Sequence, residues 1–180
     1  LVPPPIARQL SAYYTALGVP ASNLSPVSLP NAGHTMPTQN YGIACGLEKE
    51  PYIGKCAYDS AREILGWTYG KLAAAGSKPA GKFIQFDQRA YIPARSAGAF
   101  SWSTGLDTTG WAYVPDTCAK GEKCRVHIAL HGCKQGYNYV NFVNGQPDLE
   151  NCPPYGNRYF TTTGYNEMAD ANNLIILYPQ

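Results

Sequence analysis

Three histidines hold most of the chemistry this chain could do, and their neighbours separate them. His34 lies in Asn31-Ala32-Gly33-His34-Thr35-Met36-Pro37, after the short apolar stretch Val27-Ser28-Leu29, with nothing apolar around it to bury the ring. A loop histidine held between a glycine and a proline yet open to water suits a general base near neutral pH. The alternative is an exposed loop histidine with no chemical role. His131 directly follows the apolar run Cys124–Leu130 and leads into Gly132-Cys133. Gly132 lets the chain bend sharply there, so that the Cys133 N–H would point out of the strand end. Such an N–H stabilises the oxyanion of an acyl-transfer intermediate, by about 3–4 kcal/mol for one good donor. Cys133 is therefore the candidate oxyanion donor, with His131 and Gly132 shaping the turn. His127 alternates with Arg125 and Ala129 and is expected to be a strand residue with a satisfied ring.

A nucleophile to match these groups is missing. No Gly-x-Ser-x-Gly occurs. Ala94-Arg95-Ser96-Ala97-Gly98 and Ser101-Trp102-Ser103-Thr104-Gly105 both lack the first glycine. Neither lies between an apolar strand and a helix, as a nucleophile elbow must.

The elements that would position these residues follow from hydrophobic periodicity. Ile6, Leu10, Tyr13, Tyr14 and Leu17 form a helical stripe, preceded by prolines and stopped by Gly18. Val27–Leu29 is a short strand candidate feeding His34. Asp59 can cap a helix from about Ser60 to Ala75, with Gly76 ending it. Lys82–Phe86, Gly110–Val114 and Cys124–Leu130 are expected strands, and Tyr159–Asn172 an expected helix. Leu174–Tyr178 is the most apolar strand, of the kind buried on both faces of a parallel sheet. Helices alternating with apolar strands give an α/β class: one mixed, mostly parallel sheet with helices on both faces.

Composition limits the partners. At 180 residues the chain is one domain or part of one. Its charged fraction is only 14%, with net charge +2, and its Lys and Arg residues are scattered, so no nucleic-acid or anionic-membrane partner is expected. No apolar run reaches the roughly 18 residues of a membrane span. Six cysteines, with close pairs at Cys45/Cys56 and Cys118/Cys124, read as disulfides of an oxidising compartment, each stabilising by about 2–3 kcal/mol. Zinc is the rival, but the C-x₂-C spacing is missing, so neither metal nor cofactor is expected. Cys133 and Cys152 remain, to pair with each other or with cysteines elsewhere. Asn23-Leu24-Ser25 is a formal glycosylation acceptor disfavoured by Pro26.

Taken together, several segments resemble extracellular polyhydroxybutyrate depolymerases. They are Leu130-His131-Gly132-Cys133-Lys134-Gln135, Gly164-Tyr165-Asn166-Glu167-Met168-Ala169-Asp170, Leu177-Tyr178-Pro179-Gln180 and Ala32-Gly33-His34-Thr35-Met36-Pro37-Thr38. The Cys45–Cys56 loop with Tyr58-Asp59 fits as well, and the Gly145–Tyr159 loop resembles an insertion. The resemblance implies a secreted serine esterase of α/β-hydrolase fold, with His34 as catalytic histidine. It implies acyl-enzyme degradation of an insoluble polyester or its oligomers. In an ordinary α/β-hydrolase the oxyanion loop precedes the histidine; here His34 comes first, an order resembling the circularly permuted form. The opening Leu1-Val2-Pro3-Pro4 then reads as the segment just after a catalytic aspartate. On that reading residues 1–180 are the carboxyl-side part of one catalytic domain, with serine and acid upstream or on a companion chain. The protein is otherwise expected to be a monomer. Cys133–Cys152 is the remaining pairing, although Cys152 falls in the insertion. The alternatives are a feruloyl, acetylxylan or oligoester esterase, or a non-catalytic, aromatic-rich polymer-binding protein.

Overall fold

The computed structural model describes residues 4–76, 78–92, 105–150 and 153–180. Both rejected serine motifs fall wholly or mostly outside these residues, as do Leu1-Val2-Pro3 and Cys152. The chain runs α1 (Pro4–Ala16), β1 (Met36–Thr38), β2 (Ile43–Ala44), β3 (Ile53–Lys55), α2 (Ser60–Tyr69), β4 (Lys82–Asp87) and β5 (Thr109–Val114). It continues through α3 (Asp116–Ala119), β6 (Arg125–Ile128), β7 (Phe142–Val143), β8 (Gln146–Pro147), α4 (Arg158–Thr162), α5 (Tyr165–Asn172) and β9 (Leu174–Tyr178).

The main sheet has the order β4-β5-β9-β6. Within this sheet β6 and β9 pair in parallel, whereas β4 with β5, and β5 with β9, are antiparallel. The expected sheet is therefore mixed, as predicted, but not mostly parallel. A long apolar strand such as Leu174–Tyr178 does not specify its neighbours' direction, because direction is set by how the chain returns. The pleat sorts its residues: Leu174, Ile176 and Tyr178 are fully buried, and the alternate Ile175 and Leu177 are half-buried.

The buried face carries the core. Tyr113, opposite Ile176, packs beneath Ala61, Leu65, Phe160, Tyr165, Met168 and Ala169 from α2, α4 and α5. Phe160 lies between Phe83, Trp111 and Tyr178, with ring centroids 5.0–5.8 Å away. Tyr178 donates to Asn166 Oδ1 at 2.7 Å, so its buried hydroxyl is satisfied. On the opposite face the register aligns Ile84, Ala112, Leu177 and Ile128, with Val126 beside Ile175. Ile84, Val126 and Ile128 are each more than half exposed there. Among the described residues the helices that contact the sheet extensively cover one face, not two. Helix α1 keeps its apolar stripe in the open, with Ile6, Leu10, Tyr13, Tyr14 and Leu17 all exposed.

Caps and glycines explain the shifted boundaries. Asp59 accepts the Arg62 N–H at 3.0 Å as expected, but α2 ends at Tyr69 because Gly70 turns into the left-handed region, φ 82°. The expected Tyr159–Asn172 helix is broken by Gly164, φ 92°, into α4 and α5. Val27–Leu29 forms no strand; the strand associated with His34 comes after it, as β1. Both expected short disulfides, Cys45–Cys56 and Cys118–Cys124, are present.

Glu167 sits in the first turn of α5 with Oε2 buried and without a hydrogen-bond partner among the described residues. Burial raises its pKa, and the charges of Asp59 and Asp170 push in the same direction. A carboxyl whose folded pKa lies above its unfolded value adds stability below the unfolded pKa, about 4.3, and loses it as pH rises through the folded value. Glu167→Gln is thus expected to raise the thermal midpoint at pH 7 by a few degrees and to give no gain near pH 4, checked by melting curves at both pH values.

Candidate active site

The candidate oxyanion turn, His131-Gly132-Cys133, is built by the end of β6. Ala129 donates to Leu177 O at 2.9 Å, extending the β6–β9 ladder by one bond, and the Tyr159 hydroxyl donates to Leu130 O at 2.8 Å. The chain then leaves the sheet edge through His131-Gly132-Cys133-Lys134. His131 Nδ1 lies 2.8 Å from Gly132 O, and its ring meets Tyr159 edge-on at 6.1 Å. These contacts tie the His131 ring to the turn and to α4. Lys134 occupies the left-handed region, φ 65°, a costly conformation for a side-chain-bearing residue that surrounding contacts must hold. The Gly132 N–H is taken by Gln135 Oε1 at 2.9 Å. No described residue accepts from the Cys133 N–H, and the Cys133 thiol is exposed and bridged to no cysteine among the described residues. The expected Cys133 partner, Cys152, lies outside the described residues.

His34 is held by its neighbours rather than by its ring. Gly33 donates to Cys45 O at 2.7 Å, and Met36 donates to Tyr52 O at 2.9 Å. The Cys45–Cys56 bridge closes the segment that offers both acceptors. β1 then pairs in parallel with β3, Met36 opposite Ile53. The imidazole itself is exposed, with no hydrogen-bonding side chain against it among the described residues.

These two loops, far apart in sequence, line one cavity of about 350 Å³, formed by His34, Thr35, Met36, Tyr52, Gly132, Cys133, Lys134 and Gln135. An exposed imidazole can move a proton, and a backbone N–H without an acceptor among the described residues can hold an anion; the residues that bear them line this one space. No described lining residue is a serine or a carboxylate.

The other histidine is structural. His127 points to the core face, its Nδ1 3.2 Å from the Tyr69 hydroxyl and its ring stacked on Tyr165 at 5.6 Å. Burial lowers its pKa, so it stays neutral at neutral pH.

Sequence reasoning missed the supports. Gln135, Tyr155 and Arg158 brace the loop Glu50-Pro51-Tyr52 from the opposite side of the chain. Tyr155 donates to Pro51 O at 2.7 Å, and burial pushes its pKa up to about 12, which keeps it a donor. Arg158 pairs with Glu50 at 2.5 Å and donates to Tyr155 O at 2.6 Å. The segment resembling an insertion thus buttresses the histidine loop. Its only local signal is that aromatic and basic residues interrupt an otherwise polar stretch.

No family model matches the chain. Curated relatives do. A polyhydroxybutyrate depolymerase of Talaromyces funiculosus is 39% identical over 165 residues, 89% of this chain and 42% of that protein. A poly(3-hydroxybutyrate) depolymerase of Delftia acidovorans is 37% identical over 175 residues, 95% of this chain and 30% of that protein. The crystal structure of the PHB depolymerase from Penicillium funiculosum superposes with a TM-score of 0.79 at 37% identity, covering 99% of this chain and 50% of that one. A PHB depolymerase complexed with an R3HB trimer gives 0.80 at 38% identity, with the same coverage. The chain therefore spans about half the length of its solved relatives.

Proposed function

We propose that this chain, a homologue of PHB depolymerases over most of its length, supplies the general base and one oxyanion donor of a serine-type poly(3-hydroxybutyrate) depolymerase. The observation that supports this most is the one cavity lined by both His34 and Cys133. The nucleophilic serine and the acid that orients His34 come from further polypeptide, either in the same chain or as a companion. The sheet supports that arrangement, since β6, which feeds the candidate oxyanion turn, is an edge strand among the described residues, with Val126 and Ile128 exposed. An unsatisfied edge and apolar face are what a partner strand and its covering helices would use.

In the reaction the serine hydroxyl attacks the ester carbonyl while His34 takes its proton. The developing oxyanion sits against the Cys133 N–H, and Gly132 is barred from donating because Gln135 occupies its N–H. His34 then gives the proton to the leaving alcohol and activates water to release the acyl group. On this reading the fold is a circularly permuted α/β-hydrolase: the histidine loop precedes the oxyanion turn in sequence, and residues 1–180 form part of one catalytic domain. The two disulfides suit secretion, the substrate is an insoluble polyester or its oligomers, and no cofactor takes part.

Substrate comparison tests the assignment. The serine-bearing protein should release hydroxybutyrate from amorphous poly(3-hydroxybutyrate) at least tenfold faster than it releases ferulate or acetate from sugar esters. The reverse ranking would replace the polyester reading with that of a plant-cell-wall esterase.

A further inference from the structure

Gln135 is only 5% exposed, and both ends of its amide are engaged. Oε1 accepts the Gly132 N–H at 2.9 Å, on the residue before the candidate oxyanion donor. Nε2 donates to Tyr52 O at 3.0 Å and more weakly to Pro51 O at 3.3 Å, and lies 3.4 Å from the Tyr155 hydroxyl oxygen. The same Tyr52 oxygen accepts the Met36 N–H at 2.9 Å, two residues beyond His34. One carbonyl therefore joins the histidine loop to the oxyanion turn, through one side chain. The backbone on either side of this link is held in costly conformations, Tyr52 at φ 54° and Lys134 at φ 65°. Rigid spacing of this kind matters because misplacing a reacting group by about 1 Å can reduce the rate 10²-fold.

We propose that Gln135 is a positioning residue that fixes the separation between the His34 imidazole and the Cys133 N–H and, by occupying the Gly132 N–H, leaves Cys133 as the donor of the turn. The catalytic consequence rests on the ester-hydrolase reading; the mechanical link does not.

Gln135→Glu separates the two. Ionised, the new carboxylate keeps the Gly132 bond but faces two carbonyl oxygens with no proton to share. Protonated, it can donate to one of them. Burial and those oxygens place its pKa above the ordinary glutamate value of about 4.3. Backbone amide NMR of the chain from about pH 4 to 8, with the wild-type response subtracted, should show the Gly132, Cys133 and Met36 amides shifting with one shared midpoint. Movement of Gly132 with Met36 unresponsive would overturn the link. If the ionised variant unfolds, Gln135→Met provides the second measurement: Met36 and Gly132 should exchange their amide hydrogens at least tenfold faster than in the wild type, and an unchanged Met36 rate overturns the proposal.

In the serine-bearing protein, Gln135→Glu should lower kcat on a soluble butyrate ester 10- to 100-fold at pH 8, with KM within about twofold. The loss should shrink as the variant is protonated. A linked amide response without any wild-type hydrolysis would sink the hydrolase reading alone. Intact hydrolysis with no linked response would sink the positioning role alone.

Discussion

His34→Ala, made in the protein that also carries the serine, is expected to lower kcat on soluble butyrate esters by about 10⁴–10⁶ and to leave KM within a fewfold. The size follows from what the imidazole does: without it the serine must lose its proton to water, and the alcohol must leave as an alkoxide. Binding is spared, because the oxyanion turn and the rest of the cavity stay in place. Stability is spared too, since the ring is exposed and the segment is held through Gly33 and Met36 rather than through His34 itself. His127→Gln is the contrasting variant. It disturbs the contacts to Tyr69 and Tyr165, so the thermal midpoint should fall while kcat changes less than tenfold. Retention of kcat by His34→Ala would remove His34 from the chemistry and leave the shared cavity as a binding feature.

Features set by local composition and spacing were the legible ones. The His131-Gly132-Cys133 turn stands out because a His-Gly pair directly follows an apolar strand, although the left-handed residue of the turn is Lys134, φ 65°, and not Gly132. His34 stands out because nothing apolar in its segment could bury a ring, and the structure leaves it exposed. The short disulfides were legible for the same local reason. Gln135 was not. Its role depends on Pro51 and Tyr52, more than eighty residues earlier, and a buried glutamine has no periodicity of its own. Strand direction was hidden likewise. The apolar run Leu174–Tyr178 is compatible with either neighbour, and the structure gives it one of each kind. The stripe Ile6, Leu10, Tyr13 and Tyr14 does lie on a helix, α1, but its apolar side meets no extensive surface among the described residues. Periodicity says that a face seeks cover and is silent about what supplies it.

Gly33→Ala is expected to lower kcat about 10²-fold and to cost about 1–3 kcal/mol of stability, although alanine neither titrates nor touches substrate. A Cβ at position 33 would lie 2.3 Å from Leu47 O and 2.8 Å from its carbonyl carbon, where contacts of roughly 3.5 Å are comfortable. One of the two backbones must therefore retreat by about 1 Å. Leu47 lies within the segment closed by Cys45–Cys56, so it does not yield freely. Gly33 is also anchored, by its N–H to Cys45 O at 2.7 Å, and the cheaper movement breaks that bond and swings the next residue, His34, away from the Cys133 N–H. The expected thermal shift is roughly 2–4 °C per kcal/mol. Gly66→Ala is the control: a Cβ there meets nothing within 4 Å, and the position is interior to α2. It should stabilise by about 0.5–1 kcal/mol and leave kcat unchanged. A Gly33→Ala protein with wild-type kcat and a lowered melting point would show that the histidine tolerates an ångström of displacement, and so would count against a rigidly spaced base and oxyanion donor. Loss of kcat well beyond the loss of folded protein, measured on active-site-titrated enzyme, is the result that a fixed His34–Cys133 geometry requires.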